Sequence, residues 1–308
     1  MRVACLGECM IELSELGGGQ PSRTHGGDTL NTAVYLARLG VEVDYVTVLG
    51  DDPFSDDMLA AWHKEGVGTA HVLRLPGRLP GLYLIRRDAR GERSFFYWRD
   101  QAPARELFAL PQTPSVIEVL TGYDLLYLSG ITLSLYSKAG RERLFEALER
   151  TRARGGRIAF DTNFRPRGWP ERATAQAAYR QAFGYADFVL ASTEDLELLF
   201  GSDRPAELLV RTASAELVLK LPQLACHVLA PGIDVVVEAK PVSDVVDTTA
   251  AGDSFAAAYL AARLDRAEPA AAARAGHELA GTVVRYPGAI IPPAAIPAAA
   301  YQGQASGA

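Results

Sequence analysis

Short apolar runs recur along this chain with helical stretches between them, and that alternation restricts the fold more than any other feature. Strand-like runs fall at 2–6, 43–49, 125–129, 157–161, 188–191, 217–220 and 235–238. Helical stretches lie between or after them at 30–39, 54–65, 138–154, 173–182 and 193–200, and an alanine-rich helical region follows at 254–264 and 269–284. That order predicts βα units around a largely parallel sheet covered on both faces. Gly40 and Gly66 each follow a helix, where a left-handed terminating residue is wanted.

One segment breaks the rhythm. From about residue 70 to 99 the chain reads as consecutive strands, HVLRL, GLYLIRR and RSFFYWR, with a hairpin signal at Asp88-Ala89-Arg90-Gly91. The alternation through Leu82 and Leu84 and the aromatic run at 95–98 predict a small sheet with one covering face. Such a sheet would be a lid carried by the α/β core; an edge extension of the main sheet is the plainer alternative. The final YQGQASGA is expected to fray.

The charge balance excludes whole classes of partner. A formal charge of −6 with no Lys/Arg-rich block leaves no electrostatic footprint for nucleic acid. No apolar stretch is long enough to span a bilayer, so no membrane partner is expected. Cys5, Cys9 and Cys226 form no CxxC pair, which argues against a disulfide framework or a zinc site and for a reducing cytoplasm. Cys5 and Cys9 read as small core residues.

Motif absences narrow the chemistry. None of the four lysines follows a glycine, so there is no Walker A loop, and neither a GxGxxG after a strand nor a GxSxG elbow is present. The strongest positive signal is Asp247-Thr248-Thr249-Ala250-Ala251-Gly252-Asp253-Ser254-Phe255, leading into an apolar helix. Small residues at a helix start let several backbone N–H groups converge on an anion without a cationic side chain. A carboxylate at Asp253, beside that anion, is electrostatically unfavourable unless it works as a base toward an attacking hydroxyl. An isolated Asp in a first helical turn would mean only a dipole preference; the small-residue run reverses that reading. A second constellation, Gly26-Gly27-Asp28-Thr29-Leu30-Asn31, allows close backbone approach and puts a donor–acceptor side chain in the first helical turn, with Asp28 read as the helix cap.

GGDTLNTA…LARLG…LGDDPF together with DTTAAGDSF resembles the paired signatures of the ribokinase/PfkB carbohydrate kinases, in order and spacing over nearly the whole chain. GECMIEL, PGLYLIRRDARGERSFFYWR, YLSGITLSL and FDTNFRPRGW are similar to the branch of 2-keto-3-deoxygluconate kinases. The resemblance implies one domain over 1–308, a ribokinase-like three-layer α/β/α core with a mainly parallel sheet, and a small β lid from about 70–99 with a contribution from about 12–25. It implies ATP and Mg²⁺, a sugar-acid substrate phosphorylated at its C6 hydroxyl, and a homo-oligomer formed through the lid.

Residue by residue, the resemblance makes Asp253 the base and Ala250, Ala251 and Gly252 the anion hole. Gly27, Asn31, Tyr83, Tyr97 and Arg99 would line the sugar site, and Arg165 would bridge toward the transferring phosphate. Asn163, Lys220, Ala251 and Gly252 would face the nucleotide. Guanidinium groups at Arg99 and Arg165 suit carboxylate and phosphate oxygens. Either Glu8 or Glu12 would contact sugar hydroxyls. The family's Asn-x-x-Glu metal stretch reads Ser192-Thr193-Glu194-Asp195 here, so Glu194 or Asp195 would serve Mg²⁺, through water. The largest departure is Lys220-Leu221-Pro222-Gln223-Leu224-Ala225-Cys226, where Pro222 and Ala225 stand at the glycines of Lys-x-Gly-x-x-Gly. Both residues disfavour positive φ, which predicts an altered loop at the nucleotide. Two rival readings follow: a fructokinase or ribokinase, and a sugar-acid binder without turnover.

Overall fold

A computed structural model describes residues 1–14, 22–87, 93–201 and 216–297. Its strands, in chain order, are β1 (Arg2–Leu6), β2 (Met10–Ser14), β3 (Ser22–Gly26), β4 (Glu42–Val46), β5 (Val48–Gly50), β6 (Leu73–Leu75) and β7 (Leu82–Arg87). They continue with β8 (Arg93–Trp98), β9 (Leu125–Ser129), β10 (Arg157–Asp161), β11 (Phe188–Ser192), β12 (Glu216–Leu221), β13 (Ala225–Ala230) and β14 (Ile233–Glu238). The main sheet runs β14-β13-β12-β11-β10-β9-β1-β4. It is parallel from β4 to β12, and β13 and β14 close one edge antiparallel.

Alternation within the strands builds three layers. In β1, Ala4 and Leu6 enter one hydrophobic cluster while Val3 and Cys5 enter the other; in β9, Leu126 and Leu128 oppose Leu125 and Tyr127 in the same way. A strand repeats its facing every two residues, so a run apolar at every position must be buried on both sides. Helices Thr113–Leu120, Lys138–Ala153 and Arg172–Tyr185 contribute to the first cluster. Helices Asp28–Arg38, Pro53–Lys64, Ala251–Leu264 and Pro269–Val283 contribute to the second. Gly40 and Gly66 adopt φ of 82° and 80° just beyond their helices, the conformation that ends a helix without a Cβ clash.

A second sheet, β3-β2-β7-β8, stands apart from the first. Its root is short, because only residues 7–9 separate β1 from β2. The aromatic residues 95–98 of β8 are all exposed, and Phe95 and Tyr97, which share one face of the strand, line a cavity.

Three expectations need correction. The run 43–49 is two strands, broken where the Thr47 hydroxyl donates to the Gly7 carbonyl at 2.7 Å, which turns the chain out of the main sheet. The expected first lid strand, HVLRL, is not in the lid-like sheet: Leu73–Leu75 pairs with β5 in a separate two-stranded sheet. Asp28 does not cap its helix; Gly27 holds that position, and the Asp28 carboxylate accepts from Asn163 Nδ2 at 2.6 Å instead. The Lys220–Cys226 loop is altered in the way its residues imply: β12 and β13 form a hairpin with Lys220 opposite Cys226, and the positive φ of 54° falls on Leu224 while Pro222 and Ala225 avoid it. The hairpin residues 88–91 and the tail 301–308 lie outside the described residues.

Candidate functional site

Strands β10, β11 and β12 end at one crevice, and the helices Asp28–Arg38, Thr193–Phe200 and Ala251–Leu264 start there. The carboxyl end of a parallel sheet is open because the connecting loops leave it and the helix starts face it. A cavity of about 670 Å³ results, roofed by Tyr83, Phe95 and Tyr97.

Asp253 lies on its floor, in the first turn of Ala251–Leu264. Asn31 Nδ2 donates to Asp253 Oδ2 at 2.8 Å, while Asn31 Oδ1 is buried without a partner among the described residues. Burial pushes the Asp253 carboxyl up to about 8; the charges of Asp28 and Asp161 add to this, and the Asn31 bond and Lys220 oppose it. A carboxyl group held there can accept a proton near neutral pH.

The helix start provides the complementary charge. Ala250 is left-handed, with φ 60°, and the Ala251 N–H turns back to the Thr248 carbonyl at 3.2 Å. The next first-turn donors, Gly252 and Asp253, have no carbonyl one turn earlier in the helix to satisfy them. A Cβ on Gly252 would meet only Lys220 Nζ, at 3.5 Å, so the glycine keeps that side of the helix start open. Lys220 Nζ reaches Asp161 Oδ2 at 3.3 Å. Burial works against the lysine charge, but Asp161, Asp195 and Asp253 outweigh it and hold its pKa above the ordinary value.

Gly27 matters for a different reason than close ligand approach. Its φ is 179°, open to any residue, but a Cβ would fall 2.2 Å from the Glu8 carbonyl oxygen. Packing against the crossover from β1 to β2 therefore demands glycine.

Most of the predicted residues come together. Gly27, Asn31, Tyr83, Tyr97, Asn163, Arg165, Glu194, Asp195, Lys220, Ala250, Gly252 and Asp253 all line the cavity. Arg165 projects at the rim, with Nη1 2.9 Å from the Phe164 carbonyl and 3.9 Å from Asp195. Asn163 has a φ of 24°, and its N–H donates to Asp161 Oδ1 at 3.1 Å. Ala251, Glu8 and Glu12 are not in the cavity wall.

Arg99 is not in the wall either. Its guanidinium donates to the Glu8 carboxylate, whose side chain is 1% exposed, and Arg99 Nε has no partner among the described residues. Glu12 accepts from the Tyr83 hydroxyl, which orients that ring. Sequence reasoning missed Asp161 and gave Asp28 the wrong role. The signal for Asp161 was its place at the end of a buried strand, in FDTN.

For a divalent ion, no three His, Cys, Asp or Glu side chains converge among the described residues. Asp195 accepts from the Thr162 hydroxyl at 2.7 Å, and Glu194 beside it is exposed. This donor set suits an ion that keeps most of its water, as Mg²⁺ does.

A covered crevice at the carboxyl end of an α/β/α sheet, with a carboxyl group beside a glycine-bearing helix start, defines a carbohydrate kinase of the ribokinase-like class. ATP is the phosphoryl donor of that class. The chain belongs to the pfkB family of carbohydrate kinases, whose family model it matches over residues 1–296. It is 44% identical over 307 residues to the 2-dehydro-3-deoxygluconokinase of Escherichia coli K12, covering 96% of this chain and 99% of that protein. Among solved structures, the 2-dehydro-3-deoxygluconokinase of Thermotoga maritima superposes with a TM-score of 0.82 at 23% identity, covering 94% of this chain and 96% of that one. A fructokinase with bound ATP from Xylella fastidiosa gives 0.81 at 24% identity, over 96% and 95%. No described helix is long and apolar enough to cross a membrane.

Proposed function

We propose that this chain transfers the γ-phosphate of ATP to the C6 hydroxyl of 2-keto-3-deoxygluconate (2-dehydro-3-deoxygluconate), giving the 6-phosphate. The observation that carries the reading is the end-to-end 44% identity to the E. coli 2-dehydro-3-deoxygluconokinase, a kinase of the same family.

The geometry supports a division of labour. Asp253 takes the proton of the attacking hydroxyl, and Asn31 fixes its carboxylate. The N–H groups at Gly252 and Asp253 receive the charge that develops on the transferring group. Lys220 and Arg165, both in the cavity wall, add positive charge, and Asn163 in the same wall serves the nucleotide. Tyr83 and Tyr97, whose ring centroids are 5.9 Å apart, cover the sugar, and closure of their sheet as a lid excludes water from ATP. Mg²⁺ would be held through water by Asp195 and Glu194, supplying charge neutralisation at the phosphates. The exposed outer face of β8, at Phe96 and Trp98, suits a homo-oligomer formed through the lid.

One observation favours a second reading, a kinase for a neutral sugar such as fructose. Arg99, the cation assigned to the substrate carboxylate, is already engaged by Glu8. Under the first reading its remaining N–H groups, or Arg165, hold that carboxylate. A coupled ATP-turnover assay on the sugar acid, fructose and ribose decides: turnover on fructose but not on the sugar acid overturns the first reading. Asp253→Asn should lose about 10²–10⁴-fold in turnover while still binding both substrates.

A further inference from the structure

Glu8 carries a buried carboxylate that the transfer chemistry does not use. Its side chain lies outside the wall of the Asp253 cavity and accepts from Arg99. Burial raises its pKa above the ordinary carboxylate value; Asp28 adds to this, and Arg99 and Arg105 oppose it. A well-packed apolar side chain would fill such a place with less penalty, so stability alone does not account for the carboxylate.

The surroundings of Glu8 do account for it. Among the described residues the chain passes between the covering sheet and the rest of the molecule four times: at 7–9, at Gly27, at 76–81 and at 99–102. Glu8 meets every one of these crossings. It sits in the first, and its carbonyl oxygen would be 2.2 Å from a Cβ on Gly27. Its Oε1 would be 3.0 Å from a Cβ on Gly81, and its Oε2 accepts from Arg99 Nη2. The same Cβ on Gly81 would fall 3.2 Å from Arg99 Cβ, so the roots of β7 and β8 pack against each other and against one carboxylate. The residue before Glu8 ties this point to the main layers: the Gly7 carbonyl accepts from the Thr47 hydroxyl at 2.7 Å, and a Cβ on Gly7 would fall 2.1 Å from Thr29 Oγ1. The ion pair uses one guanidinium nitrogen, and Glu8 Oε1 and Arg99 Nε have no partner among the described residues. Guanidinium and carboxylate can form two parallel bonds; with one, Arg99 can turn about the fixed carboxylate as the sheet moves.

We infer that Glu8 is a positioning residue for phosphoryl transfer: it holds the roots of β7 and β8 and so sets how Tyr83 and Tyr97 close over the cavity. Tyr83 is two residues beyond Gly81, Tyr97 is two before Arg99, and the two tyrosines are paired across the strands. With both roots held at one fixed point, the two rings close together. The inference rests on the reading of that sheet as a cover that keeps water from ATP.

Two variants test it, and neither changes a residue of the cavity wall. Glu8→Gln keeps the shape and an acceptor but weakens the bond to Arg99. Gly81→Ala keeps Glu8 and puts a methyl group into the root. The readout is ATP lost to water divided by sugar phosphorylated, a ratio from which the folded fraction cancels. It should rise about tenfold in each variant, the weight of one charge-assisted bond loosened at the root. Hydrogen exchange at 82–87 and 93–98 should quicken by about the same factor relative to 125–129 and 157–161. An unchanged ratio in either variant that keeps its fold by circular dichroism overturns the inference, even where exchange is faster. The ratio is read on whichever sugar the parent chain phosphorylates, so a wrong substrate leaves the test intact. A parent that phosphorylates no sugar defeats the proposed function, and exchange then decides alone: unchanged exchange in β7 and β8 overturns the inference.

Discussion

The pH dependence of turnover gives the sharpest test of Asp253 as the base. An ordinary aspartate is ionised throughout the neutral range, and its activity would be flat above about pH 5. Here burial, with the charges of Asp28 and Asp161, raises the carboxyl to about 8. At pH 7 only about one free molecule in eleven then carries an ionised base, so kcat/KM should rise about tenfold between pH 7 and 9 and level above that. ATP titrates in the same region, so the wild-type value is divided by the residual kcat/KM of Asp253→Asn at each pH. Asp28→Asn removes the largest charge that raises this group, and should move the limb to lower pH. A normalised profile flat from pH 5 to 9 would refute the reasoning. So would a limb that Asp28→Asn leaves in place.

Stability should carry the same signature with opposite consequence. Because the folded pKa of Asp253 lies above the unfolded one, its contribution is fully present below about pH 4 and lost as pH rises through about 8. The Tm of Asp253→Asn relative to wild type should therefore climb between pH 5 and 8 and stay constant above 9; a constant difference from pH 5 upward contradicts the shift. Arg99→Ala leaves the Glu8 carboxylate buried and unpaired, and should cost about 3–5 kcal/mol in denaturant unfolding, with most of it recovered by adding Glu8→Gln. If Arg99 also binds the substrate carboxylate, the double variant will show a raised KM for the sugar acid but not for a neutral sugar. Gly252→Ala places a methyl group beside Lys220 Nζ in otherwise open space, so the fold should persist by circular dichroism while kcat/KM for ATP falls about tenfold or more.

The α/β/α core was legible because buried strands announce themselves locally. Leu125–Ser129 and Phe188–Ser192 are apolar at almost every position, and such runs fit a two-sided parallel sheet best. Strands β2 and β3 were harder to read, since SRTHG has no apolar alternation and is held by pairing with Met10–Ser14. The helix Gly130–Leu135 escaped notice because it is only six residues long and rests on a capping box between Ser129 and Thr132.

The sequence by itself determined the sheet apart from Ala225–Ala230, its covering helices apart from Thr113–Leu120, and the Asp247–Phe255 run, since each depends on residues near one another in the chain. Tertiary structure decided which groups meet. Asn31 reaches Asp253 across 222 residues, and Glu8 engages Arg99 across 91. Neither pairing leaves a periodic trace, because a side-chain hydrogen bond depends on where two backbones come to rest and not on the sequence around either one. The raised carboxyl at Asp253 has the same origin: burial and the nearby charges of Asp28 and Asp161 exist only once the crevice has closed around it.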